Sequence, residues 1–302
     1  MSDLKNNLKN GISEKIMCFK KEKIKIRAFA KINIGLDISS KRPDGYHSID
    51  TVMQTVSIAD RITVRKAFKV RVDCGKDSLK GEKNIAFKAA KLFLKETRIK
   101  MGAHIKIEKH IPLAAGLGGG SADAAAVLLA LDKLYKTRLS YEKLCELALE
   151  LGADVPFFIG GGTQRAEGIG EKLTPLKTLK KGWFLLIKNG DKPSTKEMYS
   201  KLDSNNTIHP DINSIIKAVE DNDLKAVAER VDNSFIAVNQ PLKIKDKLLS
   251  LGAVGVSLSG SGPTWYAIFE DENKAVSALK ELKKENVEAY LCQPLEKSII
   301  FE

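Results

Sequence analysis

Apolar residues take every even position from Ile24 to Ile38, with mostly polar residues between them. Ile24, Ile26, Ala28, Ala30, Ile32, Ile34, Leu36 and Ile38 take the even positions, and Lys25, Arg27, Phe29, Lys31, Asn33, Gly35 and Asp37 the odd ones. A period of two predicts one long strand, or two with a bend, carrying Lys31 and Asn33 on the face opposite the aliphatic one. Ile49 to Ile58 and Arg61 to Val72 repeat the alternation and extend the sheet. Glu82 to Thr97 switches to helical spacing. His104 to Glu108 returns to period two, and Ala122 to Tyr135 places Val127, Leu128, Leu131 and Leu134 on one helical stripe. Ser140 caps a further helix that Gly152 ends. Val155 to Phe158 reads as an apolar strand and Thr163 to Leu173 as a hairpin. Beyond a connector at Pro175 to Lys181 come a buried strand (Trp183 to Ile187) and a loop from Asp191 that enters a helix near Tyr199. Helices follow over Ile212 to Glu220, Leu224 to Val231 and Leu242 to Leu251. The chain then reads strand (Val254 to Leu258), glycine turn, strand (Thr264 to Phe269), helix (Glu272 to Glu285) and strand (Glu288 to Gln293). This ending suits a two-layer α+β unit of ferredoxin-like type.

Between the His104 strand and the following helix lies Pro112-Leu113-Ala114-Ala115-Gly116-Leu117-Gly118-Gly119-Gly120-Ser121-Ala122. Strand, glycine loop, helix start is an anion-binding arrangement: unpaired N–H groups and the helix dipole favour a phosphate there, and glycine lets the backbone approach it. The usual phosphate-loop and dinucleotide labels do not fit. Gly120 is followed by Ser121 and Ala122 rather than by a Lys-Ser/Thr pair. On its own, the stretch reads equally well as a flexible turn.

Composition narrows the classes. The 302 residues are 43% apolar, enough for real cores in one large or two ordinary domains. No apolar run approaches the roughly 18 residues of a membrane span. The net charge of +12 fits either nucleic acid or anionic metabolites, but the lysines are dispersed and only 6% of residues are aromatic, which argues against an RNA-binding sheet face. Cys18, Cys74, Cys145 and Cys292 share no CxxC spacing and, without a secretory signal, read as reduced thiols in the cytoplasm. Residues 1–23 are polar and lysine-rich and read as a disordered tail, or as a start placed too far upstream. Domains are expected over 24–176 and 177–302.

Individual side chains gain meaning by position. Pro43, Asp44 and Gly45 make a turn that presents Tyr46 and His47 side by side, able to stack on a planar base and bond its edge. Asp154 follows the Gly152 helix end and precedes apolar residues, where a carboxylate can be tuned. Taken singly, Lys31 also reads as a solvent-facing lysine, Asp154 as a turn aspartate and the Tyr46 turn as an aromatic packed over a hairpin.

Several motifs together resemble one family, the small-molecule kinases grouped with galactokinase, homoserine kinase, mevalonate kinase and phosphomevalonate kinase. The family's phosphate loop, Pro-x-x-x-Gly-Leu-Gly-Ser-Ser-Ala, is similar to Pro112–Ala122, and its C-terminal glycine motif to Leu258–Thr264 (LSGSGPT). Within it, Ala30–Ile38, Arg42–Val56 and Leu151–Phe158 resemble a branch acting in the non-mevalonate isoprenoid pathway on a cytidine diphosphate-linked methylerythritol. The resemblance runs from about Ile24 to the C-terminus. It implies an α+β fold: an N-terminal domain like a ribosomal-protein domain and a ferredoxin-like C-terminal one. It implies ATP and Mg²⁺ as cofactors, Asp154 as the base toward the acceptor hydroxyl, and Lys31 as its cationic partner. Pro112 to Ala122 would cradle the triphosphate, with Ser121 beside the metal. Asn33, Tyr46, His47, Thr195 and Tyr199 would bind the cytidyl substrate, Tyr199 stacking on the base. Gly260, Ser261 and Gly262 would close over the phosphates. Asn84 and the helix after it are candidates for the adenine pocket. No nucleic acid or membrane partner is expected, and the oligomeric state would be a monomer or weak homodimer. The rival readings are a related kinase for homoserine or a mevalonate-like acid, which needs no cytosine site, and a non-catalytic nucleic-acid-binding relative.

Overall fold

A computed structural model describes residues 22–75, 81–190, 194–203, 208–239 and 242–302. Most of the proposed tail therefore lies outside the described residues; Lys23, counted with it above, already opens the first strand. β1 (Lys23–Lys41) and β2 (His47–Ala67) form one long antiparallel pair around the turn that carries Tyr46. The turn closes because Arg42 N–H donates to Tyr46 O at 2.7 Å and Tyr46 N–H to Asp44 Oδ1 at 3.1 Å. β3 (Arg71–Asp73) and β4 (Gly102–Glu108) continue the sheet beyond β2. The hairpin of β5 (Thr163–Gly168) and β6 (Lys172–Leu176) pairs with the other half of β2. The two alternating runs predicted over 49–58 and 61–72 are thus one strand that ends at Ala67, followed by the separate β3.

The register of β1 on β2 shifts between Phe29 and Ala30. There the chain end crosses the sheet: Ser57 N–H donates to Gln293 O at 3.0 Å and Leu295 N–H to Thr55 O at 2.9 Å. Below the shift, Ile26 and Ala28 join a core with β4 and the helices α1 (Ile85–Glu96) and α2 (Gly119–Tyr135). Above it, Ala30, Ile32 and Ile34 join a second core with Phe184, Tyr266 and Ile215. One run of alternation therefore serves two cores, and the half of β1 that carries Lys31 and Asn33 is the half that touches the second layer.

α3 (Tyr141–Leu151) starts at Ser140, whose hydroxyl accepts from Lys143 N–H, and ends at Gly152. The apolar strand expected near Phe157 is instead the single-turn α4 (Phe157–Gly160). Pro156 sits at φ −58° and ψ −35°, values already helical, and its missing N–H costs nothing at a helix start.

The second sheet is antiparallel and comprises β7 (Trp183–Lys188), β8 (Gly255–Leu258), β9 (Thr264–Phe269) and β10 (Ala289–Cys292), in the order β10-β7-β9-β8. Helices α5 (Thr195–Asp203), α6 (Ile212–Glu220), α7 (Leu224–Arg230), α8 (Ile236–Asn239), α9 (Leu242–Ser250) and α10 (Glu272–Lys284) accompany it. The sheet order is that of a ferredoxin-like layer, as anticipated. β11 (Ile299–Phe301) was not: it leaves this layer and pairs with Ile26–Ala28 of β1, stitching the C-terminus onto the first sheet.

Candidate active site

The glycine loop takes the shape that its residues permit. Gly116 and Gly118 sit at φ +74° and +71°, where a side chain is strained. Gly118 also has no room: a Cβ there would lie 2.6 Å from the Phe158 ring and 3.1 Å from Lys31 Cγ. Gly118 is the N-cap of α2, so the helix starts at Gly119 rather than Ala122, and no side chain caps its first N–H groups. Those donors face a cavity of about 410 Å³ whose wall includes Pro112 to Ser121; Ala122 is buried behind it.

Lys31 and Asp154 meet on this cavity. Lys31 Nζ lies 3.5 Å from Asp154 Oδ2, the lysine side chain 5% exposed and the aspartate 40%. Lys31 Nζ also donates to Asn33 Oδ1 at 2.7 Å, Asn33 Nδ2 donates to Thr51 Oγ1 at 2.9 Å, and Thr51 Oγ1 donates to Gly35 O at 2.5 Å. The ammonium is thus aimed by a buried chain of bonds, and Lys31 N–H donates to Leu117 O at 3.0 Å, tying the strand to the loop. Asn33 belongs to this cluster rather than to the Tyr46 turn.

A second charged cluster escaped the sequence reading. Lys109, on the cavity wall, reaches the buried carboxylates of Asp60 and Asp123, the latter at 2.8 Å. Asp60 also accepts from His110 N–H at 2.6 Å and Ile111 N–H at 2.9 Å, which fixes the entry to the glycine loop. Lys109 and Asp123 flank the loop motif in sequence, a signal that could have been used; Asp60 lies about fifty residues earlier and gave none. Burial, opposed by the Lys109 ammonium and reinforced by the Asp60 carboxylate, pushes the Asp123 carboxyl up to about 7. A carboxyl whose pKa is raised on folding costs stability progressively as pH climbs from its ordinary value near 3.8 to 7. The urea midpoint of Asp123→Asn relative to the parent should therefore move in the variant's favour as pH climbs from about 4 to 7; an offset that stays constant over that range would contradict this assignment.

Of the residues expected to bind the cytidyl substrate, Tyr46, His47 and Tyr199 line an adjoining cavity of about 400 Å³ that shares Ile169 and Tyr199 with the first. Tyr46 is 61% exposed. His47 is buried, stacks on Tyr199 (4.6 Å between centroids, 15° between planes) and donates from Nε2 to Asp203 Oδ1 at 2.7 Å. Two of the three rings expected to contact a base, His47 and Tyr199, therefore contact each other here. Thr195 opens α5, but its side chain lies outside the described residues. Asn84 caps α1, its Oδ1 accepting from Ala86 N–H at 2.8 Å, while the next residue, Ile85, lines the first cavity. Gly260 and Ser261 close that cavity from the second layer; Gly262 presses its carbonyl toward Gly116 instead.

A strand-loop-helix anion cradle, a lysine-aspartate pair and a glycine turn from a ferredoxin-like layer define a class, and comparison with known proteins gives the same one. Residues 84–162 match the N-terminal domain of the GHMP kinases and residues 215–288 the C-terminal domain. A 4-diphosphocytidyl-2-C-methyl-D-erythritol kinase of Clostridium beijerinckii is 41% identical over 282 residues, covering 90% of this chain and 100% of the relative. One of Thermoanaerobacter pseudethanolicus is 42% identical over 270 residues, covering 87% and 93%. A crystal structure of 4-(cytidine 5'-diphospho)-2C-methyl-D-erythritol kinase superposes with a TM-score of 0.77 at 31% identity, covering 89% of this chain and 98% of that one. Homoserine kinase from Cytophaga hutchinsonii shares the fold, with a TM-score of 0.76 at 20% identity, covering 93% and 98%. The chain belongs to the GHMP kinase family and, within it, to the family of these 4-diphosphocytidyl-2-C-methyl-D-erythritol kinases. GHMP kinases take ATP as phosphoryl donor.

Proposed function

We propose that this kinase transfers the γ-phosphoryl group of ATP to the 2-hydroxyl of 4-diphosphocytidyl-2-C-methyl-D-erythritol, a step of the non-mevalonate route to isopentenyl diphosphate. The observation that carries the reading is the Lys31–Asp154 pair set directly against the uncapped start of α2. Asp154 takes the proton of the acceptor hydroxyl as the oxygen attacks. Lys31, anchored by Asn33, holds the Asp154 carboxylate in place and balances charge on the transferred group. The loop amides of Gly116 to Ser121 hold the triphosphate, so that positioning and electrostatics do most of the work.

Ser121, in the first turn of α2, is the hydroxyl beside the loop amides that would meet Mg²⁺, with Ser261 across the same cavity, and no trio of His, Cys, Asp or Glu able to hold a metal occurs among the described residues. That donor set fits Mg²⁺, which takes phosphate and water oxygens for most of its shell and would neutralise phosphate charge here.

The cytidyl group enters the second cavity, with Tyr199, Tyr46 and His47 as its contacts and Thr195 at the mouth of α5. The enzyme works in the cytoplasm as a monomer or weak homodimer, on a small molecule and not on nucleic acid. Among the described residues no helix is long and apolar enough to cross a membrane.

The deciding assay is ATP consumption with the cytidyl substrate beside homoserine and mevalonate. Turnover with the cytidyl substrate alone supports the reading, and turnover with another acceptor in its place would sink it. Tyr199→Ala should raise the acceptor KM about tenfold, since stacking on a base is worth ~1–3 kcal/mol, and leave the ATP KM unchanged. Equal shifts in both constants would remove Tyr199 from the base site.

A further inference from the structure

Between α7 and α8 the chain runs along the upper half of β1. Leu36 N–H donates to Asp232 O at 3.2 Å and Ser234 N–H to Leu36 O at 2.9 Å, so 232–234 pairs with β1 like a short parallel strand. Ser234 Oγ takes the next strand donor, Ile38 N–H, at 3.1 Å. In the middle sits Asn233, 1% exposed and turned the other way, into the second layer. Its Nδ2 donates to Leu258 O at 2.8 Å and Gly260 O at 2.9 Å, and its Oδ1 accepts from Phe235 N–H at 2.9 Å. An amide side chain carries two N–H donors and an acceptor, and here all three are used without water.

The turn so held is the glycine turn of the site. From it, Ser259 Oγ accepts from Asn33 N–H at 3.3 Å and donates to Gly116 O at 3.4 Å. The position of a Cβ on Gly260 would be 3.5 Å from Asn33 Oδ1, the atom that receives Lys31 Nζ. A continuous set of contacts thus runs from β1 through Asn233 to the turn, and back from the turn to the phosphate loop and to the residue that aims Lys31.

We propose that Asn233 is a positioning residue for phosphoryl transfer: by bonding both Leu258 O and Gly260 O while its own backbone is paired to β1, it makes the glycine turn a fixed wall of the site. The inference rests on the kinase reading above. Asn233 touches neither substrate; it acts through the turn, on the phosphate loop and on Lys31. Replacing it with alanine leaves the buried Leu258 carbonyl and the part-buried Gly260 carbonyl without this donor, and leaves Ser259 as the turn's remaining tie to β1.

The test is steady-state kinetics of the full chain, parent against Asn233→Ala, at a temperature where circular dichroism shows both folded. The expected result is a fall in kcat of about tenfold or more, on the scale of the ~10²-fold that a one-ångström misplacement costs. The ATP KM should rise more than the acceptor KM, because the bonds run directly to the phosphate loop and reach the base cavity only through Phe235, whose ring meets Tyr199 edge-on at 5.1 Å. A folded variant with the parent's kcat overturns the proposal, as does a rise confined to the acceptor KM. If Asn233→Ala does not fold, Ser259→Ala reads the far end of the same connection: a drop in kcat supports the proposal, and an unchanged kcat overturns it. Absence of turnover in the parent would count against the kinase reading itself, which separates the two failures.

Discussion

Asp154→Asn is expected to lower kcat by about 10²–10⁴-fold, the range that general acid–base groups supply, with little change in thermal stability. The geometry separates these two effects. Asp154 stands on the turn 153–156, held by backbone bonds such as Val155 N–H to Gly152 O at 3.1 Å, and its side chain is 40% exposed. Its partner Lys31 keeps a second anchor in Asn33 Oδ1 when the carboxylate is gone. Asparagine fills the same space but cannot accept the proton of the attacking hydroxyl. The fall should therefore appear in kcat, with the KM for ATP and acceptor nearly constant. A variant retaining a tenth or more of the parent's kcat would remove Asp154 from the role of base and leave Lys31 with the loop amides as the main contributors. The backbone at Gly170 also passes close by, with a Cβ position 4.0 Å from Asp154 Oδ1. The carboxylate thus sits against main chain on one side and the ammonium on the other.

Much of this site could be read from the chain because its parts are local. β1 announces itself by alternation, α3 by Ser140 and Gly152, and the anion cradle by a strand, glycines and a helix start within one stretch. Even so, the helix starts three residues earlier than its apolar stripe indicates, because Gly119 and Gly120 are helical in spite of their low propensity; the stripe marks burial, and the end is set by Gly118 in the left-handed region.

The rest depends on contacts between distant residues, which leave no local pattern. Asn33 N–H and Ser259 Oγ are 226 positions apart. Asp60 looks like any strand aspartate until His110 and Ile111 fold onto it. β11 is three residues long and becomes a strand only because β1 has a free edge beside Ile26–Ala28. The stacking of His47 on Tyr199 joins the first hairpin to α5, and nothing in the Pro43–Gly45 turn foretells it. The pattern of an element was visible wherever its own residues decide it. It was hidden wherever a partner from the other layer decides it.

Gly116→Ala is the substitution expected to damage folding and activity together. At φ +74°, an L side chain costs roughly 1–2 kcal/mol. The added Cβ would also lie 2.8 Å from Ser259 O and 2.9 Å from Gly262 O. Those are backbone atoms in a turn that Asn233 holds, so the clash cannot be relieved by rotating a side chain. Either the phosphate loop or the glycine turn must move, and both face the same cavity. We expect a loss of about 2–4 kcal/mol, in the range of overpacked cores plus backbone strain, and a fall in kcat/KM for ATP of about 10²-fold. Gly120→Ala is the control within the same loop: its nearest neighbour is Ile85 Cγ2 at 3.5 Å, an ordinary contact, and alanine is the better helix former. Gly120→Ala should unfold at or above the parent's temperature. If the two alanine variants lost stability equally, the contact between the phosphate loop and the glycine turn would not be the constraint, and the loop's shape would have to be set from the β4 side, through Asp60 and Lys109.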